Sequence, residues 1–282
     1  MNKFLVYIFI IIILVLAGCS HSSDEKVEKN EDDNLSSSQG QNEAEKKETE
    51  EPDEEVVETS GTEIEETQPT APLYKLNEVY SVVPIDKANP KVVLLTFDDA
   101  PDKRALDIAK TLQKMDAPAI FFVNGHFLQT EEKKKVVKEL YNMGFSIGNH
   151  TKTHANLKEL SEEEQREEIV SVNDDVEAIT GERPVFFRAP FGANTDFSRA
   201  LAKQEGMLLM NWSYGYDFEK EYMSKEKIAD IMVNTEYLRD GANLLMHDRE
   251  WTADALEEII TGLRNKGYDF VDPKTIQGVG EE

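Results

Sequence analysis

The residues best suited to chemistry in this chain stand at the ends of short apolar runs. Asp98 and Asp99 follow residues 92–97, VVLLTF. His150 follows residues 145–149, and His154 stands four positions further on. Arg188 follows residues 185–187, and His247 follows residues 243–246. Groups that ligate a metal or move a proton are thus gathered where parallel α/β folds place their active sites, at the C-terminal ends of strands. Adjacent residues leaving a strand point in different directions. One Asp is then free to bind a metal while the other faces a water; the plainer alternative is that one of them caps the following helix. The spacing of His150 and His154 puts two imidazoles on one face of a helical turn. Two His and one Asp make a ligand set suited to Zn²⁺, Co²⁺ or Fe²⁺.

The elements that must position these groups alternate between two periodicities. Residues 92–97 read as a buried parallel strand, and residues 102–115 as a helix with Ala105, Leu106, Ile108, Ala109 and Leu112 on its apolar side. Strands are predicted at 119–123, 145–148, 185–187, 207–212, 243–246 and 268–271, with helices at 131–143, 161–181, 196–205, 225–238 and 252–266. Ser161-Glu162-Glu163-Glu164 matches a capping box. About seven β–α units with polar residues at many strand ends favour a (β/α) barrel. An open doubly wound sheet is the runner-up, because it concentrates its site at one switch point. No Gly-rich nucleotide loop follows the first strand.

Taken together and in order, several segments resemble the motifs of the NodB-type polysaccharide deacetylases, carbohydrate esterase family four. They are Thr96-Phe97-Asp98-Asp99, the His150–His154 segment with Leu157, Arg188-Ala189-Pro190-Phe191-Gly192, and Leu245-Met246-His247, with Phe121-Phe122-Val123-Asn124-Gly125 as a second-strand segment. The resemblance implies a distorted (β/α)7 barrel and metal-dependent hydrolysis of N-acetyl groups on amino sugars. It implies that Asp99, His150 and His154 hold a divalent metal, zinc first, with Co, Ni, Fe or Mn as alternatives. Asp98 would be the general base, Arg188 its orienting partner, and His247 the general acid. The Phe191 backbone N–H would stabilise the oxyanion, and Leu245 would line the acetyl pocket. Trp212 either packs beside that pocket or belongs to the core. The segment 212–218 departs from the family pattern: Gly215 stands where an Asp is common. Asp217 is the expected substitute as partner of His247, and Phe218 the expected substitute for a second Trp. His126, Asp248, Arg249 and Trp251 read as structural or incidental.

The rest of the chain bounds where such a domain would work. Residues 4–16 are a nearly unbroken apolar run after Lys3, and Leu16-Ala17-Gly18-Cys19 follows. The run is short for a span, which needs about 20 residues, and reads as a signal peptide over 1–18. Leu-Ala-Gly-Cys resembles a lipoprotein lipobox, which implies lipidation of Cys19 and anchoring to the extracytoplasmic face of a bacterial membrane. Cys19 is the single cysteine, which excludes an intramolecular disulfide or a catalytic thiol in the domain. Residues 20–72 hold 18 acidic and 4 basic residues and no aromatic. Such a composition cannot bury enough apolar area to offset its ordering entropy, so residues 19–72 are expected to be an acidic tether. Residues 73–90 read as a lead-in and 91–282 as the catalytic domain. From residue 73 onward there are 38 acidic and 26 basic residues, which argues against nucleic acid as a partner. An anchored enzyme of this kind meets envelope glycan, and peptidoglycan is the expected substrate. Poly-N-acetylglucosamine, chitin-like oligomers, O-acetyl esters and a non-catalytic glycan-binding barrel are the alternatives.

Overall fold

The computed structural model describes residues 71–279; the expectations for Cys19, the signal peptide and the acidic tether lie outside them. Among the described residues no helix is long and apolar enough to cross a membrane.

Strand β1 (Tyr74–Leu76) and strand β2 (Val82–Pro84) form an antiparallel hairpin. Strand β3 (Val92–Ala100) is buried along its whole length. Helix α1 (Ala105–Lys114), β4 (Ala119–Val123), α2 (Glu131–Asn142), β5 (Ser146–Asn149) and α3 (Glu162–Thr180) follow. The order then runs β6 (Phe186–Phe187), α4 (Asp196–Gln204), β7 (Leu208–Leu209), α5 (Lys225–Asn234), β8 (Ala242–His247), α6 (Glu250–Asn265) and β9 (Asp269–Phe270). The main sheet is parallel, in the order β7-β6-β5-β4-β3-β8, with β9 paired to the start of β3. It curls until its two ends meet. Ser213 N–H donates to Asn243 O at 2.7 Å, Leu245 N–H donates to Tyr214 O at 2.8 Å, and Tyr214 bridges Leu244. The result is the expected distorted seven-stranded barrel, closed by an irregular segment rather than by a full strand pair.

The period of two decides which side chains enter the curl. Val92 and Leu94 of β3, Ile120 and Phe122 of β4 and Phe186 of β6 make one buried cluster with Met210 inside. Val93, Leu95 and Phe97, with Phe121, Leu244 and Met246, make another against α1, α2, α5 and α6. Continuing the inner row of β3 upward gives Thr96 and then Asp98. The same alternation puts Asn243, Leu245 and His247 of β8 on the inner side, because Leu244 and Met246 face the helices. On the third side, Phe186 leads to Arg188. Apolar layers thus fill the lower barrel, and the polar residues form the next layer up.

The helix boundaries follow local chemistry. Ser161 caps α3 with the expected capping box, its side chain accepting from the Glu164 N–H and the Glu164 side chain accepting from the Ser161 N–H. Helix α1 starts three residues later than predicted, at Ala105, because the Asp248 carboxylate accepts from the Lys103 and Arg104 N–H groups ahead of it. Asp248 therefore ties down the turn that leads into α1. Residues 73–90 are more than a lead-in: Tyr74 and Val82 of the hairpin pack into the lower barrel beside Ile276. Strand 207–212 shrinks to two residues, since the chain past Leu209 turns toward β8.

Candidate active site

At the upper rim Asp98, Asp99, His150, His154, Phe191, Trp212, Phe218, Leu245, His247 and Arg249 line a cavity of about 280 Å³. Asp98 enters it by strand alternation. Asp99 by the same rule should face the helices, but its φ is 63°, where the register of β3 against β4 shifts between Phe97 and Ala100. This left-handed step at a bulge turns the second carboxylate toward the cavity too.

The two histidines arrive differently from the sequence expectation. Residues 150–154 are not a helical turn but a loop, with Thr151 at φ 65° and His154 at φ 61°. Its ties lie below it. His150 N–H donates to Val123 O at 2.8 Å, and Asn124 Nδ2 donates to His150 O at 3.1 Å. Asn149 Oδ1 accepts from Thr151 N–H at 2.8 Å, while Asn149 Nδ2 donates to Ile169 O and Asn173 Oδ1, both at 2.7 Å. Glu168 of α3 accepts from Thr153 N–H at 2.8 Å and from its hydroxyl at 2.6 Å. Asn149, Asn173 and Glu168 are buried polar residues that the sequence reading passed over. The available signal was their position among the apolar residues of the buried side of α3 or at the end of a buried strand.

One ligand atom each from Asp99, His150 and His154 lies within 4.8 Å of the other two. His150 Nδ1 is 2.8 Å from Arg188 O; a carbonyl only accepts, so Nδ1 carries a proton and Nε2 is the ring nitrogen left for a cation. Burial, helped by neighbouring His150, pushes His154 below the usual histidine range against the opposing pull of Asp99 and Asp98. His154 is therefore suited to the neutral, ligating form. The donor set fits a divalent cation.

The other half of the site pairs titratable side chains with buried partners. Arg188 is fully buried. Its Nη1 donates to Asp98 Oδ1 at 2.6 Å and to Thr96 Oγ1 at 2.8 Å, and its Nη2 donates to Asn211 O at 3.0 Å. Burial alone would raise the Asp98 pKa, but Arg188, His150 and His247 outweigh it and hold the carboxyl below its ordinary value. His247 pairs with Asp98 across β8 and β3. Asp217, fully buried, accepts from His247 Nδ1 and from the His247 backbone N–H, each at 2.6 Å. Thr252 Oγ1 donates to the same carboxylate at 2.7 Å, and Trp251 Nε1 donates to Asp217 O at 2.8 Å. Burial lowers the His247 pKa, but Asp217 prevails and raises it above the usual histidine value.

Four further residues complete the walls. Phe191, at φ 58° within the turn Pro190–Gly192, has no partner for its backbone N–H among the described residues. Its ring lies 4.9 Å from that of His154. Leu245 and Trp212 both line the cavity, and Phe218 sits edge-on to His247 at 5.8 Å. Gly215 has a packing reason: a Cβ there would stand 2.4 Å from Leu245 O and 2.8 Å from Leu245 Cβ. The chain passes too close to β8 for any side chain, and the carboxylate comes two residues later, at Asp217. His126 is exposed, packs on Phe127 and does not line the cavity. Arg249, read from sequence as structural, does line it, and its Nη2 donates to Asp99 Oδ2 at 2.6 Å.

The chain is similar to known proteins over different extents. The polysaccharide deacetylase family model matches residues 85–210, a range that ends before Asp217 and His247. The chain is 33% identical to the peptidoglycan-N-acetylmuramic acid deacetylase PdaC of Bacillus subtilis, over 78% of this chain and 45% of that protein. It thus spans less than half the length of that relative. It is 30% identical to the peptidoglycan-N-acetylmuramic acid deacetylase PdaA of Bacillus subtilis, over 70% of this chain and 76% of the other. Among solved structures, the Bc1960 peptidoglycan N-acetylglucosamine deacetylase aligns with a TM-score of 0.62 at 30% identity, covering 69% of this chain and 92% of that one.

Gly215→Ala should destabilise the protein by about 1–3 kcal/mol through overpacking against Leu245. Urea unfolding with an unchanged m-value checks this; an unaltered midpoint would mean that Leu245 gives way freely.

Proposed function

The chain belongs to the polysaccharide deacetylase family, and from that premise we propose that it hydrolyses N-acetyl groups on an N-acetylated cell-envelope polysaccharide, peptidoglycan first. The observation that carries the proposal is the placement of Asp98 and His247 on one cavity with opposite proton preferences. An amide is a weak electrophile with a poor leaving group, so its hydrolysis needs a base for the water and an acid for the amine. Asp98, kept ionised by Arg188, accepts a proton from the attacking water. His247, kept protonated by Asp217, donates to the departing nitrogen. The free N–H of Phe191 is a donor for the developing oxyanion, and Leu245 with Trp212 gives the acetyl methyl an apolar seat. Asp99, His150 and His154 would hold a divalent ion, zinc first with Co, Ni, Fe or Mn as alternatives, which would polarise the carbonyl and acidify the water. Gly215, standing where the family pattern has an Asp, is accounted for by its contact with Leu245 and by the Asp217–His247 pair.

The substrate class rests on the relatives' names and on the N-terminal segment. A lipid on Cys19 would hold the domain at the extracytoplasmic face of the membrane, and residues 20–72, self-repelling by charge, would extend it toward the wall. Intact-mass measurement of membrane-extracted protein tests the anchor: a diacylated Cys19 as first residue is expected, and a chain beginning at Met1 with a free thiol would sink it.

Acetate release from peptidoglycan, its fragments, chitin oligomers and acetylated xylan tests the reaction. Zinc-loaded full chain should deacetylate peptidoglycan fragments, with Asp98→Asn and His247→Ala each losing at least about 100-fold while still binding metal. No release from any substrate with any of the five metals would leave only glycan binding. The pH profile separates the roles. Activity should fall as pH drops through the depressed Asp98 pKa and as pH rises through the raised His247 pKa. Asp217→Asn removes the charge that raises His247, so the alkaline limb of kcat/KM should move to lower pH; an unmoved limb contradicts the assignment of His247 as the acid.

A further inference from the structure

We propose that Arg249 is a positioning residue that holds Asp99 in the orientation cation binding requires; the inference rests on the metal-site reading above. The backbone around it is anchored first. Asp248 N–H donates to Asp98 O at 3.0 Å, and the Asp248 carboxylate takes the N–H groups of Lys103 and Arg104. The peptide before Arg249 is thereby stitched to the loop between β3 and α1. The guanidinium then forks. Nη2 donates to Asp99 Oδ2 at 2.6 Å, and Nη1 donates to Asp102 Oδ2 at 2.8 Å.

This fixes which oxygen Asp99 presents. Oδ2 is held by Arg249, while Oδ1 is turned toward His154, 3.7 Å from Nε2. A carboxylate on a left-handed bulge residue has little else to lock its rotation, and no other side chain among the described residues donates to Asp99. The two adjacent carboxylates therefore each have their own arginine: Asp98 is held by Arg188 from below, and Asp99 by Arg249 from the rim. A lysine cannot replicate the second arrangement, because a single ammonium does not span Asp99 and Asp102 as a planar fork does.

Charge and geometry make opposite forecasts for this residue. Removing a cation beside the ligand set would by charge alone tighten metal binding; removing a clamp would weaken it. The experiment is zinc affinity of the full chain in neutral detergent, by competition with a chromophoric chelator, for wild type, Arg249→Lys and Arg249→Gln, with thermal unfolding of the metal-free forms. Both variants should bind zinc about 10–100-fold more weakly, the range for loss of a partner that orients a ligand. Equal or tighter binding by Arg249→Gln, or wild-type affinity in Arg249→Lys, overturns the proposal. If either variant melts early, Asp102→Asn, which frees one arm of the fork and leaves Arg249 in place, should still weaken zinc several-fold; unchanged affinity there also overturns it. A wild type that binds no zinc would overturn the metal-site reading instead, before any variant is compared.

Discussion

The ion pair between Arg188 and Asp98 is the constraint around which the barrel is built. Both residues are buried, with Arg188 at 0% exposure and Asp98 at 2%. Charges in such a place are costly unless paired and hydrogen-bonded. The structure meets that demand by drawing partners from several strands: Asp98 and Thr96 from β3, Asn243 from β8, and the Asn211 carbonyl from the segment after β7. The guanidinium also lies over the Phe122 ring, 4.3 Å from its centroid. Only Nε is left without a partner. Removing one member of such a pair typically costs about 3–5 kcal/mol, whereas apolar residues could fill the space as well. Its retention is explained by chemistry: it keeps a carboxylate ionised in a place where burial would otherwise protonate it.

Around that pair the backbone is strained where it serves the site. Of the seven non-glycine residues with positive φ among the described residues, four are Asp99, Thr151, His154 and Phe191. Such conformations cost on the order of 1–3 kcal/mol each and persist only when the surroundings impose them. The surroundings here are identifiable. Asn149 and Glu168 hold the histidine loop, the register shift in β3 turns Asp99, and the Pro190–Gly192 turn holds Phe191. The strain aims the Asp99 carboxylate, two imidazoles and one free N–H into the cavity that Asp98 enters by alternation. The same demand explains Gly215, where contact with Leu245 leaves no space for a side chain.

What could be read from the sequence follows from how local each signal is. The long apolar run of β3, the capping box at Ser161 and the strand-end positions of Asp98, His150, Arg188 and His247 were legible, because burial periodicity and capping are written in adjacent residues. The spacing of His150 and His154 suggests one face of a helical turn, whereas two left-handed residues of a loop bring the rings together. Strands of two residues, such as β6 and β7, carry almost no periodic signal. The β1–β2 hairpin has three residues per strand, too few to stand out from a lead-in. Glu168, Asn149 and Arg249 act across 15 to 150 positions of sequence, and no window around them shows what they touch. Asp217 was placed by its proximity to Trp212 and is held to His247 by two hydrogen bonds that sequence alone does not reveal.

The central claim is that Arg188 acts through Asp98, keeping the base ionised and aimed. A double-mutant cycle on kcat/KM is the most direct measurement, using Asp98→Asn, Arg188→Gln and the double variant, with zinc affinity of each confirming an intact ligand set. If the two residues form one unit, the double variant loses no more than Asp98→Asn alone, because Arg188 has nothing left to orient. Losses that multiply across the cycle would mean that Arg188 works independently of Asp98, and would contradict the account.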